Sequence, residues 1–173
     1  MFQYQNNELV PMTRRYPVLK RKVAERDSKI ANKLIRAWDQ EKDQDKVFGI
    51  YMKNKHLLSH YRYWELMRTV WIICGSVERS DLFRELMKST RPHSYYFSTQ
   101  EEARALRELP KEVTVYRATD DPQDKGLSWT LSREYAESYM MQFNKEHMVE
   151  LLAPKTLFFA YINRNKEEEI IIL

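Results

Sequence analysis

The final residues, Lys166-Glu167-Glu168-Glu169-Ile170-Ile171-Ile172-Leu173, set three carboxylates directly against an aliphatic run. Branched side chains in succession have the composition of a buried strand, and such a strand anchors the acids that precede it. Alternate residues of a strand share a face, so Glu167 and Glu169 are expected on one side and Glu168 on the other. Two carboxylates projecting from one rigid edge repel each other and resist desolvation. That costs stability and suits a site where positive charge develops during a reaction. The same residues also read as an acidic turn before an edge strand, with the charges guarding against aggregation.

Other chemistries are poorly served by this sequence. It holds three glycines and neither a P-loop nor a GxGxxG string, so no glycine-rich turn cradles a phosphate. Of the four histidines, His56 and His60 lie four apart on a predicted helix, but no HExxH surrounds them. They read as surface or packing residues, and no metal is expected. Cys74 follows Ile72 and Ile73 on an apolar helix face, the setting of an inert buried thiol.

The elements that must position the acids divide the chain into two textures. Residues 1–17 contain Pro11 and Pro17, show no clear period and read as an irregular arm. From Val18 to Lys46, Val23, Ile30, Leu34 and Trp38 recur at helical spacing among charges. After Gly49, a second helix is predicted over His56–Cys74, with Leu57, Tyr61, Trp64, Met67, Val70 and Trp71 inward and Gly75 as its cap. A third covers Arg79–Lys88, and a short fourth runs from the Ser98–Glu102 capping residues to Leu109, where Pro110 stops it. The aromatic residues of these helices read as packing rather than as a ligand site.

Beyond Pro110 come short strand-like runs over residues 113–116, 127–131, 148–152 and 157–162. They are joined by a turn-rich segment at 120–126 and a helix over Arg133–Phe143. These runs lie too close together for a helix between each pair. The expected fold class is therefore α+β: a helical segment over 1–110, then a compact antiparallel or mixed sheet over 111–173, with helices gathered to one side.

At 173 residues and 43% hydrophobic composition the chain can bury a core. A single cysteine excludes an internal disulfide, and no apolar run is long enough to cross a bilayer, so a cytoplasmic protein with no membrane partner is expected. Residues 1–110 carry 21 Lys/Arg against 14 Asp/Glu, whereas residues 111–173 carry 8 against 11. The basic excess of the first half reads as a solvated helix surface, with a non-catalytic nucleic-acid-binding module as the alternative.

The polar residues left in the strand-rich half form a short ordered set. Arg117 ends Val113-Thr114-Val115-Tyr116-Arg117, Ser128-Trp129-Thr130 follows Gly126-Leu127, and Glu167-Glu168-Glu169 leads the last strand. In this order they resemble the Arg, Ser-x-Thr/Ser and Glu-x-Glu elements of the ADP-ribosyltransferase superfamily, over about a third of the chain. The resemblance implies a split β-sheet core that binds NAD as substrate and transfers ADP-ribose to a protein side chain, arginine by the Glu-x-Glu type, with release of nicotinamide. An NAD glycohydrolase would use the same residues with water as acceptor.

Carried over residue by residue, Arg117 holds the NAD phosphates and the nicotinamide-side ribose, and Ser128 orients Glu169. Glu169 bonds the ribose hydroxyl and stabilises the oxocarbenium-like centre, while Glu167 orients or deprotonates the acceptor. Ala118, at the backbone position that receives the nicotinamide amide, stands where relatives often carry glycine. Trp129 stands where a small residue is common, beside Thr130, the last residue of the serine element. The segment from Phe143 to His147 is short for a nicotinamide-covering loop, whose aromatic is either Tyr139 or Phe143. The helical half is assigned a place beside the cleft, or a part in target selection, by analogy alone.

Overall fold

The computed structural model describes the backbone of residues 2–5, 8–11, 18–124 and 126–173, and side chains from residue 18 onward apart from 125. The chain divides into two compact units, one formed by residues 1–79 and 89–99 and the other by residues 80–88 and 100–173.

In the first unit, β1 (Phe2–Gln5) and β2 (Glu8–Pro11) pair antiparallel, so part of the expected irregular arm is sheet. The single helix predicted over 18–46 is two, α1 (Arg21–Glu41) and α2 (Gln44–Asn54). The break needs no glycine. Lys42 closes α1 in the left-handed region at φ 53°, its N–H donating to the Trp38 carbonyl, and Asp43 caps α2 by accepting from Lys46 N at 2.9 Å. Gly49, read as a boundary, lies inside α2.

The next helix, α3 (His60–Cys74), begins four residues later than predicted, so His56 and His60 do not share a helix. Tyr61 and every residue from Tyr63 to Cys74 are buried. Its start is tied down by Asp27 of α1, a fully buried carboxylate that accepts from Ser59 N at 3.2 Å and from the Ser59 hydroxyl. An anion there faces the unsatisfied amides and positive end of α3, which offsets part of the cost of its burial. Gly75 follows because a Cβ at that position would lie 2.6 Å from the Trp71 carbonyl oxygen.

The second unit contains α4 (Ser80–Met87), α5 (Gln100–Glu108), α6 (Arg133–Gln142) and a sheet of β3 (Glu112–Thr119), β4 (Ser128–Thr130), β5 (His147–Pro154), β6 (Phe158–Ile162) and β7 (Glu169–Ile172). Strand order is β5-β3-β4-β7-β6 with every pairing antiparallel, so the fold is α+β. Helices α4 and α5, expected with the helical segment over 1–110, group here with the sheet; Ala105, Leu106 and Leu109 pack on its core of Val115, Trp129, Ala153, Phe158, Tyr161 and Ile170.

Helices cover both faces of this sheet, in place of the one expected. Trp129 and Ile170, paired across β4 and β7, face α5. Their neighbours Thr130 and Glu169 therefore face the other way, with Tyr116, which pairs with Thr130. Over that second face lies α6, the Arg133 guanidinium 6.0 Å from the Tyr116 ring. The last strand, β7, is interior, between β4 and β6, which removes the edge-guard reading of its acids.

Several buried acids make the fold sensitive to alkali. Burial pushes the Cys74 thiol up to about 12, and burial likewise raises the phenols of Tyr51, Tyr61, Tyr63 and Tyr161. The unfolded chain releases these protons first, so their stabilisation is complete below the unfolded values of about 8.5 for thiol and 10 for phenol, and is lost as pH rises toward 12. Cys74→Ala is expected to lower the urea midpoint near pH 8, with the gap to wild type narrowing by about pH 10.5. A gap that stays constant over that range would show that Cys74 does not carry the titration.

Candidate active site

The β4–β7 register sets the site. Ser128 lies opposite Ile171 and Thr130 opposite Glu169, so both hydroxyl residues share a face with Glu169. Ser128 Oγ donates to Glu169 Oε1 at 2.6 Å, and Glu169 is only 7% exposed. Thr130 Oγ1 donates to the Glu167 carbonyl at 2.6 Å and accepts from Ser132 N at 3.0 Å. One side chain thus fixes both the approach to β7 and the start of α6. Ser132 then caps α6 by accepting from Tyr135 N at 3.1 Å.

Strand alternation does not reach Glu167, contrary to expectation. The turn from Ile162 to β7 puts Asn165, Lys166 and Glu168 in the left-handed region at φ 50°, 63° and 46°. The strand begins only at Glu169. The two acids nevertheless converge, through Tyr135 of α6. Burial, then the charge of Glu167, pushes the Tyr135 phenol up to about 12, with the Glu169 charge and a hydrogen bond to the Glu167 carboxylate adding to the effect. Arg164 Nε holds the Glu167 carboxylate from the other side at 2.9 Å. Glu168 instead acts on Tyr161, which pairs with Ile170 on the α5 face.

From β3, Arg117 reaches the backbone of β4. Its Nη1 donates to the Ser128 carbonyl at 2.8 Å and its Nη2 to Asp124 Oδ2 at 2.7 Å. Its Nε is buried with no hydrogen-bond partner among the described residues. The guanidinium lies against the backbone of Gly126, where a Cβ would sit 2.0 Å from Arg117 Cζ. Ser128 therefore touches both groups, taking Arg117 on its carbonyl and giving its hydroxyl to Glu169. Beyond Arg117, Ala118 is half-buried within the β3–β5 ladder, opposite Met148. Trp129 turns away into the core and donates Nε1–H to the Gly126 carbonyl at 2.9 Å.

At the far end of α6, Tyr139 and Phe143 stack with centroids 4.3 Å apart, both exposed. Lys145 pairs with Asp120 at 2.6 Å and feels both Tyr139 and Arg117, which brings this end of α6 beside the end of β3. Among the described residues no group of three His, Cys, Asp or Glu is placed to hold a metal ion. Nor is any helix among them long and apolar enough to cross a membrane.

The structure thus brings Arg117, Ser128, Thr130, Glu167 and Glu169 around one strand pairing. Sequence reasoning gave no role to Tyr135, Asp124, Gly126 or Arg164. The available signals were Gly126, one of three glycines and two residues before Ser128, and Tyr135, three residues after a serine that caps a helix.

Gly126→Ala is expected to eject the Arg117 guanidinium and to destabilise the protein by about 1–3 kcal/mol, as overpacking does. In an Arg117→Ala background the same change should cost far less, since the three atoms nearest the added Cβ all belong to that side chain. Urea titrations of the four proteins give the coupling; additive effects would mean that Gly126 is required for its own backbone conformation.

Compared with protein-family models, curated proteins and solved structures, the chain matches none.

Proposed function

We propose that the chain is an ADP-ribosyltransferase that takes NAD as substrate and transfers ADP-ribose to a protein side chain, arginine being the favoured acceptor. The observation that carries this reading is the placement of Ser128 between Arg117 and Glu169, touching both. Three elements that resemble the Arg, Ser-x-Thr and Glu-x-Glu set lie on or directly before β3, β4 and β7, which are neighbours in the sheet. The split-sheet character of that superfamily has a counterpart as well: β3 joins β4 at one residue pair, Tyr116 with Thr130, against eight between β3 and β5.

In this reading Arg117 binds the dinucleotide phosphates. A guanidinium whose buried Nε has no hydrogen-bond partner among the described residues suits an anionic oxygen, and the Nη2 held by Asp124 exchanges that carboxylate for phosphate when substrate enters. Glu169, fixed by Ser128 on an interior strand, accepts from a ribose hydroxyl and faces the anomeric carbon. Heterolysis of the bond between that carbon and the nicotinamide nitrogen sends the electron pair to nicotinamide, which leaves neutral. The preorganised Glu169 carboxylate stabilises the oxocarbenium-like centre left behind. A guanidine nitrogen of the acceptor then forms the new C–N bond and loses its proton to Glu167.

The division between the two acids follows from their supports. Glu169 is on the strand, while Glu167 lies within the turn, between left-handed Lys166 and Glu168, and is held by side chains, Arg164 and Tyr135, that an arriving guanidinium can displace. In this reading the nicotinamide is covered by Tyr139 or Phe143, which stack on each other and are exposed at the end of α6. A single buried cysteine suits the reducing cytoplasm.

Incubation with labelled NAD and an arginine-bearing acceptor is expected to give labelled protein and free nicotinamide. Glu169→Gln should lose both by about a hundredfold or more while keeping its melting temperature within a few degrees. Retention of NAD cleavage by this variant would remove the catalytic assignment.

Glu167→Gln separates the two steps. It is expected to abolish transfer yet leave measurable hydrolysis of NAD, whereas Glu168→Gln changes neither. The yields of labelled acceptor and free ADP-ribose report this directly, and equal loss of both products in Glu167→Gln would rule out a separate acceptor-side acid.

A further inference from the structure

One surface of the first unit is untouched by this chemistry. On α1, Lys22, Arg26, Lys29, Lys33 and Arg36 follow one another at intervals of four, three, four and three residues, which aligns them in a single row. All five are exposed, and among the described residues none of them forms an ion pair. At about 1.5 Å per residue the row runs about 21 Å along the helix. The apolar face of α1, with Ile30, Leu34 and Ala37, is already buried, and α1 packs against α2. Beside the row lies an open cleft of about 390 Å³, walled by Lys29, Lys33 and Arg36 and bounded by the Lys46–Glu41 pair.

We infer that this row binds the phosphate backbone of double-stranded DNA without regard to sequence. A straight row of like charges held apart at low cost needs a polyanion of regular spacing as its partner. An acidic protein face is a poorer match, because the row contains no aromatic or aliphatic anchor of the kind that carries protein interfaces. A membrane is poorer still: the apolar residues that would enter the lipid boundary are buried inside the unit. Between nucleic acids, the wide major groove of B-form DNA admits a helix, whereas A-form RNA closes its own to side chains.

Five phosphate contacts give a logarithmic salt slope of about −4 to −5, so affinity should fall by two to three orders of magnitude between about 50 and 200 mM salt. The test measures anisotropy of a labelled random-sequence DNA duplex with the full chain at both salt concentrations. The variant Lys29→Glu/Lys33→Glu/Arg36→Glu is expected to abolish binding. Lys29→Gln/Lys33→Gln/Arg36→Gln, which adds no repulsion within the helix, should weaken binding at least tenfold and flatten the salt slope by about 3. Melting temperature and NAD cleavage should stay unchanged in both, so this inference and the enzymatic reading fail separately. It is overturned by absence of binding at 50 mM salt, by full binding in either variant, or by tighter binding of an RNA duplex of equal length, polyglutamate or anionic vesicles.

Discussion

The second unit is organised by one unfavourable fact, the burial of the Glu169 carboxylate on an interior strand. A carboxylate taken out of water costs several kcal/mol unless its oxygens are met by donors. The Ser128 hydroxyl meets one at 2.6 Å, and it can do so only because the β4–β7 register sets Thr130 opposite Glu169 and Ser128 one step along the same face. That register is in turn held by the alternate residues. Trp129 and Ile170 pair on the opposite face within the α5-covered core, so a slip of one residue would bury Thr130 and Glu169 there instead. The acid keeps its place because moving it would undo the apolar face behind it.

Much of this was legible from residue types. The isoleucine run carries a strong local pattern, the serine and arginine elements weak ones that gain from their order, and an antiparallel or mixed sheet follows from connections too short for crossover helices. What escaped were features decided by side chains far apart in sequence. The break between α1 and α2 arises where Lys42 takes a left-handed conformation and Asp43 caps the next helix, with no glycine or proline to announce it. Helix α5 groups with the sheet because two of its apolar residues, with Leu109 just beyond it, complete the sheet core, a fact of packing that helix periodicity cannot express.

The acid pair shows the same limit at the scale of one residue. A strand pattern extended through Glu167 assumes an extended backbone, and the left-handed Glu168 breaks it. The convergence of Glu167 and Glu169 then depends on α6, which presents Tyr135 between them only because Thr130 and Ser132 link the end of β4 to the first turn of that helix. Nothing in the Glu-x-Glu spacing itself encodes this. It belongs to a hydrogen-bonded chain running from the β7 approach through β4 into α6.

Tyr135 also narrows what the site can do. A phenol pushed up to about 12 by burial and by Glu167 stays protonated at neutral pH, so it serves as a hydrogen-bond donor and cannot act as a base there. The groups around Glu167 are then donors on both sides, Tyr135 and Arg164, with the carboxylate as the acceptor between them. An incoming guanidinium is itself a planar array of donors and can take the place of Arg164 without leaving the carboxylate unsatisfied. A hydroxyl acceptor offers one donor and would leave part of that carboxylate bare. In the proposed transfer, the acceptor guanidinium would take the place that Arg164 holds on the Glu167 carboxylate.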